Sequence, residues 1–450
     1  MSDSEQSVRV EAISIKGLFG LYDHDIRLNT AARVTILHGP NGVGKSVLLR
    51  LIAAFFDGRY REFIVVPFTT FTVSLTDGRT ATVYGLSEAN HGSAARSLRL
   101  IVNNTGSQQL TYEIPIRTTF DDIAKRIEGE SPFLSRMGES QFYEHRTRQM
   151  LTSEQVVERY GTASDVMAAI KLPLDDEPDV VKGMRDAIPV QLVETQRLLR
   201  TPREALYRTE RKSMIATVRS YSDELVGEIS RTLSRYGTES QKLDQTFPQR
   251  LIWSGYVSTP TVEDLKERLN KLDEQLSKLN ALGLIDKVSY PAQPSEIDAL
   301  EEVKRSVMAL YVQDTENKLQ FLASLATRIQ LLVDSVNGKF RNKTLMVSRE
   351  RGLQVFDQRK RPVGLDALSS GEQHELVLWF DLLFNVKTNS LVLIDEPELS
   401  LHVSWQKKML PELLEIAGTV RFDALVATHS PFIIGDRLDL TVSLDADIDE

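Results

Sequence analysis

The stretch Gly39-Pro40-Asn41-Gly42-Val43-Gly44-Lys45-Ser46 follows one apolar run, Val34–Leu37, and precedes another, Val47–Phe56. Gly39 and Gly44 with four residues between them, then Lys and Ser, form the phosphate-loop pattern. A strand before and a helix after are the context that pattern requires. Gly39, Gly42 and Gly44 let the backbone curl round an anion and aim successive N–H groups inward. The helix start adds partial positive charge. Lys45 is placed to reach the β- and γ-phosphates, and the Ser46 hydroxyl to ligate Mg²⁺. A merely glycine-rich strand–turn–helix would need strand, loop and helix to fall in register by chance. The stretch therefore predicts an α/β fold holding a nucleoside triphosphate with Mg²⁺.

At 450 residues the chain exceeds one ordinary core, so two or three structural units are expected. Apolar content of 41% and charged content of 26% fit a soluble globular protein. No apolar run approaches the ~20 residues that span a bilayer. The polar, acidic start from Met1 to Glu5 is unlike a signal peptide, so a cytoplasmic location without membrane contact is expected. The absence of cysteine excludes disulfides, thiolate zinc sites and cysteine nucleophiles together. The net charge of −9 argues against a uniformly basic nucleic-acid binder while leaving room for a local basic groove.

Val8–Ile15, Asp23–Leu28 and Val34–Leu37 read as strands feeding the loop. Short β-branched runs at Phe63–Val66, Phe71–Leu75, Thr80–Tyr84, Leu98–Val102 and Leu110–Ile114 read as antiparallel hairpins turning at Asp77-Gly78 and at Asn104–Gly106. Residues 118–182 are polar and helix-leaning, and predict an exposed helical insertion. Val190–Glu194 reads as a buried strand delivering Gln196. Val262, Leu265, Leu269, Leu272, Leu276 and Leu279 alternate spacings of three and four, with Glu267/Lys271 and Glu274/Lys278 on the outer face. A second helical pattern runs from Ser295 to about Asn337. The two suggest an antiparallel arm, or equally a helical lobe packed on the head. Leu345–Ser348 and Leu353–Phe356 read as a hairpin.

Leu368-Ser369-Ser370-Gly371-Glu372-Gln373 opens a helix that is apolar nearly all round over Leu376–Phe384, so that helix should be buried. Its serines also suit plain N-capping. Leu391–Ile394 is a buried strand ending in Asp395-Glu396-Pro397. The Asp suits Mg²⁺, and the Glu suits orienting and deprotonating an attacking water. Ala424–Ala427 forms another short strand, ending in Thr428-His429-Ser430. A lone histidine is commonly structural. This one ends a strand, as the carboxylates do, and in a parallel sheet such ends line the ligand crevice.

In this order, phosphate loop, Leu-Ser-Ser-Gly-Glu, Asp-Glu-Pro and Thr-His-Ser-Pro resemble the ABC-type ATPase head of transporters, SMC proteins and RecF-like repair ATPases. The resemblance implies a mixed sheet with an antiparallel β subdomain and an inserted helical lobe or short antiparallel coiled-coil arm. Its parts would be 1–117 and 341–450 for the head, 118–200 for the insertion and 201–340 for the arm. It implies that Lys45 and Ser46 hold phosphate and metal, Gln196 is a lid-loop sensor of Mg²⁺, and Ser369 and Gly371 are signature residues. Asp395 would be the Walker B acid, Glu396 the catalytic base, Ser400-Leu401-His402 the D-loop and His429 the switch histidine. In such heads the signature motif covers a γ-phosphate held by a second copy, which implies ATP-linked pairing and even-numbered oligomers.

Within that group, OLD-type nucleases carry a Toprim domain after the His motif, and the residues following His429 are expected to be too few for one. The wording of 368–377, 394–403 and 428–431 is similar to the ATPases of bacterial anti-phage loci of the PARIS type, with Septu as the alternative. That resemblance implies a nuclease effector from a neighbouring gene and a phage trigger as partners. The competing class is a DNA-repair ATPase. Arg341, Lys343, Arg349, Arg351, Arg359, Lys360 and Arg361 would then track DNA phosphate, or else form a solvated basic face.

Overall fold

The computed structural model describes residues 7–85, 96–103, 109–116, 120–138, 140–161, 177–193, 199–200, 215–253, 261–286, 301–399 and 401–444. The chain divides into two compact units. The first takes Met1–Thr195, Val386–Leu399 and Gln406–Glu450, and the second takes Gln196–Asn385 and Ser400–Trp405.

In the first unit a parallel sheet runs in the order Val190–Val193, Leu391–Asp395, Asp423–Ala427, Val34–His38, Thr441–Ser443. Its central strands are almost wholly apolar and buried, as strands covered on both faces must be. An antiparallel sheet runs in the order Tyr22–Arg27, Val10–Leu18, Thr70–Leu75, Thr80–Tyr84, Arg96–Asn103, Leu110–Ile116. Its strands alternate, burying Phe71, Val73 and Leu75 on one face.

Helix Lys45–Asp57 serves both sheets. Its core cluster joins Ile13, Phe71 and Leu98 of the antiparallel sheet to Leu37, Leu393 and Leu425 of the parallel one. Left-handed glycines bracket the helix, Gly44 at φ 94° and Gly58 at φ 69°, and the Gly58 N–H closes on the Ala54 and Phe55 carbonyls. At the other ends of the strands Arg9, which precedes the antiparallel sheet, donates to Asp423 of the parallel one and to the Thr30 carbonyl.

Two expectations for the first unit change. Phe63–Val66 is not a strand but part of a helical turn, Glu62–Val65. Phe63 alone is buried there, wedged against Phe68 and Phe71 at ring distances of 5.7 and 5.2 Å, so tertiary packing overrides β propensity. The insertion is not all helical. Strands Leu134–Arg136, Gln141–Glu144 and Gln149–Thr152 form an antiparallel sheet under helices Phe120–Glu130 and Ser153–Tyr160, around Ile123, Ile127, Phe142 and Val156. The turn expected at Asn104–Gly106 lies outside the described residues.

The second unit is built on helices Thr217–Trp253, Val262–Ala281 and Glu302–Asn337. The expected antiparallel pairing of Val262–Ala281 with Glu302–Asn337 does not form. The antiparallel partner of Glu302–Asn337 is Thr217–Trp253, since Arg250 grips Asp314 and the earlier Asp244 meets the later Lys318 at 2.7 Å. Helix Val262–Ala281 lies alongside in the same direction as Glu302–Asn337. Arg268 reaches Glu316 at 2.6 Å, while Gly283 lies by Val347 of the hairpin that follows Asn337. Its leucines 265, 269, 272, 276 and 279 are all buried, as their spacing predicts.

The hairpin Lys343–Ser348 and Gly352–Asp357 leads to helix Ser370–Phe380, which continues as a π-turn over Asp381–Asn385. That helix buries the Glu375 carboxylate, which accepts from Lys339 and from the Trp379 N–H, with Lys339 Nζ 4.8 Å from the Trp379 ring centre. Both charged side chains are at most 1% exposed. Lys339→Met strands the carboxylate and should cost about 3–5 kcal/mol in urea unfolding. Adding Glu375→Gln, which still accepts from Trp379, should recover more than half. Equal stability of the single and double variants would contradict this pairing.

Candidate functional site

Register brings the chemistry to one edge. In the parallel sheet Asp395 pairs with Ala427, and Ala427 with Leu37, so the loops leaving three adjacent strands start level. Those loops carry Gly39–Ser46, Asp395–Leu399 and Thr428–Ser430.

The phosphate loop is shaped by neighbours on both sides. A Cβ on Gly39 would lie 2.6 Å from the Leu444 carbonyl oxygen, and one on Gly44 2.4 Å from a Leu18 methyl. Gly42, at φ 90°, has open space before it. Lys45, only 5% exposed, folds back over the loop and donates to the carbonyls of Gly39 at 2.9 Å and Pro40 at 2.8 Å. Burial lowers its pKa, against the opposing pull of Glu396, Asp395 and Glu398. Ser46 Oγ donates to Asp395 Oδ1 at 3.0 Å.

Lys45 Nζ also lies 3.4 Å from His429 Nδ1. An ammonium has only donors, so Nδ1 accepts and the ring proton sits on Nε2. Nε2 faces Glu396 Oε1 at 3.9 Å. Glu396 is held at φ 46°, a left-handed conformation that a side-chain-bearing residue enters at a cost. Its N–H donates to the Ala427 carbonyl at 2.9 Å.

This arrangement fits the groups the sequence calls for. Gly42 is open toward an incoming anion, the loop N–H groups head a helix, and a buried cation waits among carbonyls it can exchange for phosphate oxygens. Ser46 and Asp395 supply one hydroxyl and one carboxylate, the hard oxygen set of a Mg²⁺ that shares its sphere with phosphates. Gln196, the third expected metal-side residue, and Ser400 of the D-loop lie outside the described residues.

The signature segment belongs to the second unit. Ser369 is the N-cap of helix Ser370–Phe380 in a capping box. The Glu372 N–H reaches Ser369 Oγ at 3.4 Å, and the Ser369 N–H reaches Glu372 Oε2 at 2.8 Å. Burial pushes the Glu372 carboxyl up, but the Lys343 ammonium at 2.7 Å and the Ser369 N–H outweigh it and hold the pKa below the usual range. Ser369 and Ser370 are exposed and Gly371 is half-buried in the first turn.

The basic residues near this segment are dispersed. Lys343 is paired with Glu372, Arg349 with Asp286 and Arg361 with Asp357. Arg349 and Arg351 flank one turn of the hairpin sheet, while Arg341, Arg359, Lys360 and Arg361 lie at its other end.

Sequence reasoning missed three residues at the loop. Glu398 accepts from Thr428 and from the His429 N–H. His24, 3% exposed, sets Nε2 at 2.9 Å from the Val43 carbonyl and stacks on Tyr22. Phe19, an exposed aromatic, lies 3.4 Å from where a Gly44 Cβ would stand. The alternation of Tyr22 and His24 could have flagged His24 as inward-facing. Nothing local marks the others.

A family model described as AAA ATPase domain matches residues 9–434. Among solved structures the chain is similar to the Smc head domain with an extended coiled coil bound to the C-terminal domain of ScpA, from Pyrococcus furiosus. That match has 13% identity over 95% of this chain and 91% of that one, with a TM-score of 0.33. It is also similar to the SmcHead bound to the C-winged helix domain of ScpA, at 10% identity, the same 95% and 91% coverage and a TM-score of 0.33. Among the described residues no helix is long and apolar enough to cross a membrane.

His24→Phe keeps the stack on Tyr22 and removes the donor to Val43. A buried carbonyl left unpaired should weaken ATP binding roughly tenfold, measured by titration with a fluorescent ATP analogue. Unchanged affinity would mean that the loop holds its shape without His24.

Proposed function

The chain belongs to the AAA ATPase domain family, and from that premise we propose that it binds Mg-ATP on Gly39–Ser46 and hydrolyses it with Glu396 as base. The observation that carries this reading is the Ser46–Asp395 hydrogen bond beside a Lys45 already lying in the loop. On binding, Lys45 exchanges the Gly39 and Pro40 carbonyls for β- and γ-phosphate oxygens. Ser46 and Asp395 would hold a Mg²⁺, which would supply positive charge to offset that of the phosphates. Glu396 orients a water toward the γ-phosphorus and accepts its proton, and His429, donating from Nε2, steadies the same region.

The exposed start of helix Ser370–Phe380, with Ser369, Ser370 and Gly371, fits a γ-phosphate presented by a second copy of the chain. ATP then joins two heads, and the assembly reports nucleotide state. The resemblance of the three C-terminal segments to anti-phage ATPases supports a sensor or scaffold role. Head pairing would restrain a separate nuclease effector until an infection signal arrives. The DNA-repair reading draws less support, because Lys343, Arg349 and Arg361 already hold carboxylates and the remaining cations sit at opposite ends of the hairpin sheet.

Lys45→Ala should lower kcat/KM for ATP by about 100-fold or more, as expected for removing a preorganised cation. Glu396→Gln should bind Mg-ATP normally and lose turnover to a similar degree. Light scattering should show the Glu396→Gln protein doubling in mass with saturating Mg-ATP. A strictly monomeric Glu396→Gln protein under those conditions would contradict nucleotide-driven pairing.

A further inference from the structure

Among the described residues, Glu398 is the one carboxylate at this edge to which the ATPase mechanism gives no task. Its Oε1 accepts two hydrogen bonds, from Thr428 Oγ1 at 2.9 Å and from the His429 N–H at 2.8 Å. Its Oε2 is buried and has no hydrogen-bond partner among the described residues. The surroundings show what Glu398 fastens. Glu396, at φ 46°, gives its N–H to Ala427 O, and the Leu399 N–H returns to the Glu396 carbonyl at 3.1 Å.

The turn 396–399 is thus tied to the 427–429 loop at two points. The backbone bond from Glu396 is one and the Glu398 side chain is the other. On the far side Thr428 Oγ1 accepts from the Ser430 N–H at 2.9 Å, and Ser430 Oγ donates to Gln406 at 2.7 Å. The chain of bonds runs from Glu398 through the His429 loop into helix Val403–Val420. Between the two ties stand the side chains of Glu396 and His429, 3.9 Å apart.

We propose that Glu398 is a positioning residue, whose Oε1 clamp on Thr428 and His429 sets the separation of Glu396 from His429 and so the geometry of hydrolysis. The inference rests on the reading of Glu396 and His429 as the hydrolytic pair. In this role Glu398 acts through the 427–429 loop. Its loss therefore falls on turnover and spares binding, because Lys45 keeps the Gly39 and Pro40 carbonyls and Ser46 keeps Asp395.

The test compares Glu398→Ala, which removes both accepted bonds, with Glu398→Gln, which keeps an acceptor oxygen in the same place. Two readouts are taken on the full chain. In nucleotide-free protein, hydrogen exchange at the His429 amide should quicken at least tenfold in Glu398→Ala and stay near the parent in Glu398→Gln. With Mg-ATP, Glu398→Ala should lose about 30-fold or more in kcat while KM moves less than threefold, and Glu398→Gln should recover most of the loss, as expected of an oriented general base. Unchanged exchange in Glu398→Ala, a KM that rises in step with falling kcat, or a Glu398→Gln as impaired as the alanine variant would each overturn the proposal. If the parent chain shows no turnover, the hydrolytic assignment fails separately, and the exchange comparison still decides whether Glu398 clamps the loop.

Discussion

Parallel pairing in register is the constraint on which the first unit depends. Asp395, Ala427 and Leu37 stand level on adjacent strands, so every loop that follows them opens at the same edge. A slip of one residue would turn Asp395 inward and break its hydrogen bond from Ser46. The strands are held in that register by two-sided burial and by Arg9 and Asp423 at the opposite ends. Helix Lys45–Asp57 then has little freedom, since its apolar residues are shared between two sheets.

The site built on that edge is polar and densely interconnected. Lys45 lies among carbonyls, His429 between Lys45 and Glu396, and Glu398 beneath His429. Each group is placed by another rather than by solvent, which is how a site keeps its geometry before substrate arrives. The second unit follows the same logic around its own helix. Ser369 and Glu372 cap one another, Lys343 holds Glu372, and Lys339 holds Glu375 against Trp379.

Much of this was legible in the sequence, and for physical reasons. Glycine spacing, an apolar strand and an apolar helix in succession leave few folds for Gly39–Ser46. Period and burial are coupled tightly enough that the leucines of Val262–Ala281 and the strand Leu391–Asp395 read correctly. What failed was set by tertiary contact. Phe63 turned a β-branched run into a helical turn by packing on Phe68 and Phe71, and strands of three and four residues in the insertion were too short to show a period. The antiparallel partner of Glu302–Asn337 was hidden because Thr217–Trp253 spreads a few buried anchors, such as Tyr221, Leu225 and Ile229, through a mostly polar helix. His24 and Glu398 escaped notice because their roles lie in what they touch across long sequence separations.

In the proposed pairing a working site draws its phosphate loop from one copy and its signature serine from another. Mixing two inactive variants separates this shared site from one built within a single copy. Lys45→Ala retains a good signature start, and Ser369→Arg retains a good phosphate loop, so a mixed pair contains one intact site and one doubly damaged site. Equimolar mixing should restore Mg-ATP turnover that neither variant shows alone. A mixture as inactive as its components, formed from variants that still bind nucleotide or fold normally, would contradict it.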